Sequence, residues 1–300
     1  MCGIIGLLLR SDKLQMQLGE LVTPMVDCMS TRGPDSAGLA LFKAPLEDGR
    51  RRFAIQANDG EFNWELFFER LWCETNGECE VRAAAQHRTV YSSLSTEAFR
   101  SWLSSSYPEV HLISVGRSID VYKDEGHPRD IAERFGFASF TGTHAVGHTR
   151  MATESAVSPA HAHPYTAEDF CLVHNGSLSN PYSVRRKLER RGVHFETDND
   201  TEAACRFLEW RMREGDTLEE AIERSFSELD GFFTFLMATA DRLVLVRDAF
   251  ACKPAVVAET DDYVAVASEF RSLAHLPGIS DARVFEPAPE QIYSWTVQCN

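Results

Sequence analysis

The chain has 300 residues, 44% of them hydrophobic and 25% charged, with a formal net charge of −15. That length supplies an ample apolar core for one large domain or two modest ones, and the acidic balance speaks against nucleic acid or an anionic membrane as partner, because both require a basic face. No window reaches the length of a membrane span, since Arg10, Asp12 and Lys13 end the opening apolar run, which is also too short and wrongly flanked for a signal peptide. Residues 2–9 read as a buried strand and 18–30 as a helix ending before the turn-forming Arg32-Gly33-Pro34-Asp35. Strands are expected at 36–43 and 51–57, then a helix at 61–74, a strand at 81–91, a helix at 96–106, a β-hairpin at 110–123 and a helix at 128–136. From Thr143 short apolar runs return, at 143–149, 169–174, 232–239, 242–247, 254–259 and 263–268. Helices at 181–191, 200–213 and 216–229 interrupt them, the last with Asp216 or Thr217 as N-cap and Glu219 and Glu220 in its first turn. With no repeat, low-complexity tract or flexible linker, this mixture predicts an α+β layered fold. The eight cysteines form no C-x-x-C pair, so no metal site, cluster or disulfide framework is expected, and a reducing cytoplasm is.

Cys2 directly follows Met1. If Met1 is removed, one residue carries both a thiol and a free α-amine, a nucleophile with its own base. The unperturbed pKa of such an amine, roughly 7.7–8.0, suits general-base work near neutral pH. On position alone, a Cys in an apolar opening strand is more often a small buried hydrophobe.

Four polar clusters end apolar runs, where side chains can converge. Arg32-Gly33-Pro34-Asp35-Ser36 is by itself a surface turn. Gly147-His148-Thr149-Arg150-Met151-Ala152-Thr153-Glu154 offers in Arg150 a planar fork for a carboxylate, with a structural salt bridge as the equal alternative. His174-Asn175-Gly176-Ser177 places an amide donor beside an unobstructed backbone N–H, the material of an oxyanion hole or of a common Asn-Gly turn. Asp198-Asn199-Asp200-Thr201-Glu202 puts acids at a helix start, where simple capping also accounts for them. Jointly they supply a thiol, a base, two oxyanion donors, a carboxylate clamp and an anion for an ammonium. Glutamine fits that set.

These residues resemble class II (N-terminal nucleophile) glutamine amidotransferases. The resemblance rests on Cys2-Gly3-Ile4, the run from Arg32 to Gly38, Gly147-His148-Thr149-Arg150, His163-Pro164, His174-Asn175-Gly176, Asp200-Thr201-Glu202, Arg247-Asp248 with Lys253-Pro254, and Ala267-Ser268-Glu269. It implies a four-layer αββα sandwich of the N-terminal nucleophile hydrolase type. It also implies that Cys2 attacks the γ-carboxamide and its amine carries the proton to departing ammonia. Asn175 and Gly176 would hold the oxyanion, Arg150 the substrate α-carboxylate and Asp200 its α-ammonium, with Thr153 near the same end. His148, His163 and His174 would be structural.

The family couples ammonia release to a synthase. The motifs reach about Ser268 and the sequence stops at Asn300, so the acceptor site is expected on another polypeptide. Hexosamine synthases usually carry Trp where this chain has Met151. The segments 251–256 and 141–144 look most like the separate glutaminase subunits of glutamate-synthase-like complexes, such as the one that serves N-methylglutamate synthase. No cofactor is then expected in this chain, and FMN and iron–sulfur clusters would belong to partner subunits. The aromatic-rich stretch 58–140 exceeds what a minimal glutaminase domain needs and is expected to be an inserted subdomain that packs on the core and helps dock the synthase. Two rivals are a stand-alone γ-glutamyl amide hydrolase and a non-catalytic regulatory subunit of the same fold.

Overall fold

A computed structural model describes residues 2–47, 49–57, 61–152, 158–167 and 170–297. In chain order the elements are β1 (Gly3–Leu9), α1 (Asp12–Gln15), α2 (Leu18–Met29), β2 (Ser36–Phe42), β3 (Arg51–Ala57), α3 (Trp64–Glu74), β4 (Cys79–Ala84), β5 (His87–Ser92), α4 (Thr96–Ser106), β6 (Val110–Gly116), β7 (Ile119–Glu125) and α5 (Pro128–Phe135). They continue with β8 (His144–Arg150), β9 (Tyr165–Thr166), β10 (Phe170–Leu178), α6 (Pro181–Glu189), α7 (Asp200–Arg213), α8 (Leu218–Glu228), β11 (Gly231–Thr239), β12 (Arg242–Arg247), β13 (Val256–Glu259), β14 (Tyr263–Ala267), β15 (Arg283–Phe285) and β16 (Tyr293–Thr296). Among the described residues no helix is long and apolar enough to cross a membrane.

Two antiparallel sheets face each other, one ordered β15-β13-β14-β1-β8-β2-β7 and the other β16-β12-β11-β10-β9. Strand β1 is apolar on both faces, and its period of two divides it between two cores. Ile4 and Leu8 join Val173, Leu236, Leu245 and Val266 between the sheets. Ile5, Leu7 and Leu9 turn the other way, onto Val22, Met25 and Met29 of α2 and Ile131 and Phe135 of α5. The second sheet does the same on its far side, where Leu172, Phe235 and Val244 pack on α6, α7 and α8 through Leu188, Phe207 and Ile222. The result is the four-layer αββα sandwich, with β1 in the middle of its sheet.

A third, four-stranded sheet, β4-β5-β3-β6, stands apart with α3 and α4 on one face. Its core is mostly rings: Phe53 stacks on Phe99 at 4.2 Å, and Phe67 meets Tyr107 at 4.8 Å. The boundaries differ from the expected 58–140. Arg51–Ala57 is a central strand of this sheet, paired on both sides. Ile119–Glu125 pairs with β2 in the sandwich, from Phe42↔Ile119 to Ser36↔Glu125, and α5 packs beneath it. The inserted unit is therefore the segment from β3 to β6. Strand periodicity at 51–57 and 119–125 marks strands without saying which sheet recruits them. For the same reason the expected hairpin at 110–123 is no hairpin, because β6 and β7 lie in different sheets.

Candidate active site

The ends of β1, β8 and β10 meet the start of α7 around a cavity of about 450 Å³. Cys2, Arg150, Gly176 and Asp200 all line it. Cys2 sits one residue before β1, so the central strand delivers its thiol to the rim, with Sγ 3.9 Å from the Met151 carbonyl. Its own carbonyl accepts from Arg32 Nε at 3.0 Å and from Asn175 Nδ2 at 3.2 Å. Asn175 Nδ2 also donates to Ser268 Oγ at 3.1 Å, and the same hydroxyl oxygen accepts from Ile4 N at 3.0 Å. Arg32 is held in turn by Glu269, with Nη1 2.6 Å from Oε1. Arg32 and Ser268 thus fix the first residues of β1. The sequence marks both within motifs but carries no sign that Arg32 touches Cys2 or that Ser268 touches Ile4.

Gly176 is required by its backbone and its surroundings. Its φ is +153°, and a Cβ there would lie 2.0 Å from the Phe232 carbonyl and 2.5 Å from His174 Nε2. Arg150 ends β8 and is buried. Asp35 holds the chain as it leaves Arg150, donating N–H to the Arg150 carbonyl at 3.1 Å and accepting from Ala152 N at 2.8 Å. Asp200 opens α7, where the Asn199 side chain caps Thr201 N. Its Oδ2 accepts from Leu178 N at 2.9 Å, which ties the helix start to β10. Thr153 and Glu154 lie outside the described residues.

Behind this rim three imidazoles form a buried cluster. His148 stacks on His163 at 4.1 Å, and Thr201 Oγ1 lies 2.7 Å from His163 Nε2 and 3.0 Å from His174 Nδ1. His148 Nε2 donates to the His174 carbonyl at 3.2 Å. Burial pushes His148 down to about 3 and His163 well below the ordinary histidine value, and lowers His174 despite the nearby Asp200. Neutral, mutually packed rings are what a structural wall requires. Segment 162–164 reaches this wall because Gly38 is bare: a Cβ there would lie 2.2 Å from the His163 carbonyl.

A family model described as a glutamine amidotransferase domain matches residues 148–275. The chain is 45% identical over 300 residues to "Glutamine amidotransferase-like protein GlxB" of Rhizobium meliloti, covering 99% of each. It is 34% identical to a "Putative glutamine amidotransferase" of Methanothermobacter thermautotrophicus, over 98% of this chain and 99% of that one. In three dimensions it resembles the glutamine phosphoribosylpyrophosphate amidotransferase of B. subtilis, with TM-score 0.60 and 19% identity, over 100% of this chain and 50% of that enzyme. That likeness shows a shared fold. The chain belongs to the class II glutamine amidotransferase family.

Proposed function

We propose that this chain is a glutaminase subunit: Cys2 hydrolyses glutamine to glutamate and ammonia, and the ammonia passes to a partner synthase of a glutamate-synthase-like complex, with N-methylglutamate synthase the nearest type. The observation that supports the first half is the convergence of Cys2, Arg150, Gly176 and Asp200 from four separate elements on one cavity, with Asn175 hydrogen-bonded to the Cys2 carbonyl beside it.

In this reading Met1 is removed and the Cys2 amine accepts the thiol proton as Sγ attacks the γ-carboxamide carbon. The tetrahedral oxyanion is held by Gly176 N–H and by Asn175 Nδ2, which exchanges one of its present bonds, to the Cys2 carbonyl or to Ser268, for the oxyanion. The C–N bond breaks, and the amine returns its proton to the leaving nitrogen, giving ammonia and a γ-glutamyl thioester. Water then attacks the thioester with the same amine as base, and glutamate leaves. Arg150 binds the substrate α-carboxylate by its planar fork, and Asp200 binds the α-ammonium.

The cavity mouth supports a protein partner. Met151 and Tyr182 line it while 47% and 69% exposed, and Phe232, at 36%, adds a further exposed ring on the strand beside Gly176. Exposed apolar groups around a catalytic opening suit a covering protein. FMN and iron–sulfur clusters would be carried by that partner, and a reducing cytoplasm would keep the thiols free.

The test is the purified chain with glutamine. Glutamate and ammonia are expected in equal amounts, with an intact mass that begins at Cys2. Cys2→Ala is expected to lower the rate by about 10⁴-fold or more. Full activity in protein that retains Met1 would defeat the mechanism. Flavoprotein partners are expected to copurify from native cells, and a chain that purifies alone and fully active would be a stand-alone hydrolase.

A further inference from the structure

A larger cavity, about 970 Å³, lies between α4 and β6 of the insert and the sandwich. Clefts between packed units of structure are common ligand sites, and this one holds a buried ammonium with no direct ion pair among the described residues. Lys123 of β7 is on its wall and is 4% exposed. Its ammonium donates to the Ala162 carbonyl at 2.9 Å and the Pro164 carbonyl at 3.3 Å, and lies 4.9 Å from the centre of the Tyr165 ring. Among the described residues it forms no ion pair, and one of its three N–H donors is uncommitted. Burial pushes this ammonium down to about 8, so it is costly to keep there.

Two carboxylates on the same wall are already matched. Glu202 accepts from Glu196 N, Thr197 N and Thr197 Oγ1 at 2.7–2.8 Å and lies between Arg185 and Arg206. Glu196 pairs at 3.1 Å with Arg100 of α4, an exposed bridge across the two sides of the cleft. Among the described residues Lys123 remains the buried cation with no carboxylate in ion-pair contact, Glu196 and Glu202 favouring its charge only from a distance.

The cleft also backs directly onto the glutaminase cavity. His163 lines that cavity, and its two neighbours supply the carbonyls that Lys123 holds. Helix α7 repeats the arrangement, with Asp200 and Thr201 facing the glutaminase cavity and Glu202 facing the cleft. We propose that this cleft is a second ligand site, for a small organic anion whose carboxylate or phosphate oxygens meet Lys123, and that its occupant acts on the glutamine cavity through residues 162–164. An oxyanion that draws Lys123 from the two carbonyls changes the support of His163, and through Thr201 the start of α7.

Calorimetric titration of the purified chain with 2-oxoglutarate and, separately, inorganic phosphate tests the site and tells the two anion types apart. Saturable binding of one of them is expected. It is expected to be lost in Lys123→Met and in Ser104→Trp, an exposed position on the cleft wall where the fold tolerates a bulky ring, and to be retained in Arg150→Ala. No binding of either probe up to about 10 mM, or binding lost in Arg150→Ala and kept in the cleft variants, would overturn the proposal. The second arm rests on the glutaminase reading: a saturating probe is expected to change KM for glutamine by about fivefold or more in the wild type and not in Ser104→Trp. An unchanged KM overturns the coupling. An inactive chain that still binds the probe leaves the cleft standing and sinks the glutaminase reading alone.

Discussion

The sandwich and the insert are both antiparallel sheets covered by helices, yet they spend their buried polar groups differently. The insert's core is aromatic and aliphatic, built from residues such as Phe53, Phe67, Phe99 and Tyr107. Its buried Arg52 and His87 reach outward to the sandwich, Arg52 lying 3.9 Å from Asp120 and His87 4.7 Å from the Tyr122 ring. The sandwich instead collects buried Arg150, Asn175, His148, His163, His174 and Thr201 at one end of its own strands. Buried polar groups need partners and fixed geometry, and a close-packed frame supplies both. The insert has the architecture of a stability unit and a wall, while the sandwich gathers the polar groups of the candidate site.

The largest effect that separates the two is in the insert's core. Phe67 is fully buried among Phe62, Trp64, Trp102 and Tyr107, and Phe67→Ala is expected to cost about 3–5 kcal/mol of stability. Glutamine turnover by the folded fraction should be unchanged. A fall in kcat in fully folded variant would break the division. Asn175→Ala is the mirror experiment, with kcat expected to fall about 10²–10³-fold, or about 2.7–4 kcal/mol of barrier, in the folded protein, beside a stability loss of about 1–3 kcal/mol from the bonds to Cys2 and Ser268 that it gives up.

Much of this division is legible in the sequence. The helices at 96–106 and 200–213 coincide with the observed ones because Ser95 and Asn199 cap them by side chain. The residues that reach the cavity are also visible, since each ends an apolar run or opens a helix. Contacts across long separations are not. Asn175 meets Ser268 across 93 residues and Ile4 meets it across 264, and no local pattern encodes either. The expected strand at 81–91 is two strands, β4 and β5, turning at Ala85 with φ +52°. Neither residue of that two-residue turn is Gly, Pro, Asn or Asp, so local chemistry gives no warning. The strands β9, β15 and β16 have four residues or fewer and escape a sequence reading, because they lack the unbroken apolar run that marks the equally short β13.

Acid should expose the sandwich's polar investment. His144, His148, His163 and His174 belong to it, and His87 lies at its contact with the insert. Burial lowers all five, His87 and His148 to about 3 and His144 to about 4. The unfolded chain binds these protons near the ordinary value of about 6.5, whereas the folded chain excludes them until far lower pH. Their effect on stability is therefore absent above that value. Below it stability is lost as pH falls, by up to about 1.4 kcal/mol per pH unit for each histidine. Urea midpoints should be flat between about pH 6.5 and 7.5 and drop steeply towards about pH 5, less so in His144→Gln. A flat profile across that range would show that the imidazoles are not held neutral.

The smallest effect asks whether the two regions unfold together. Ser95 caps α4 in the insert by accepting from Ala98 N, and Thr217 caps α8 of the sandwich in a full capping box with Glu220. Replacing either with Ala removes one such bond and is expected to cost about 1 kcal/mol. The insert's sheet shares core with the sandwich through Ala54 and Ile113, and His87, where β5 leaves the exposed turn, is buried against Tyr122. That shared burial predicts a single cooperative transition. Three of the five tryptophans (64, 72 and 102) lie in the insert, so fluorescence weights that unit, whereas far-ultraviolet circular dichroism reports both. With joint unfolding, Ser95→Ala and Thr217→Ala shift both signals equally. If Ser95→Ala moves the fluorescence midpoint alone, the insert opens independently, and the cleft that it forms with the sandwich opens with it.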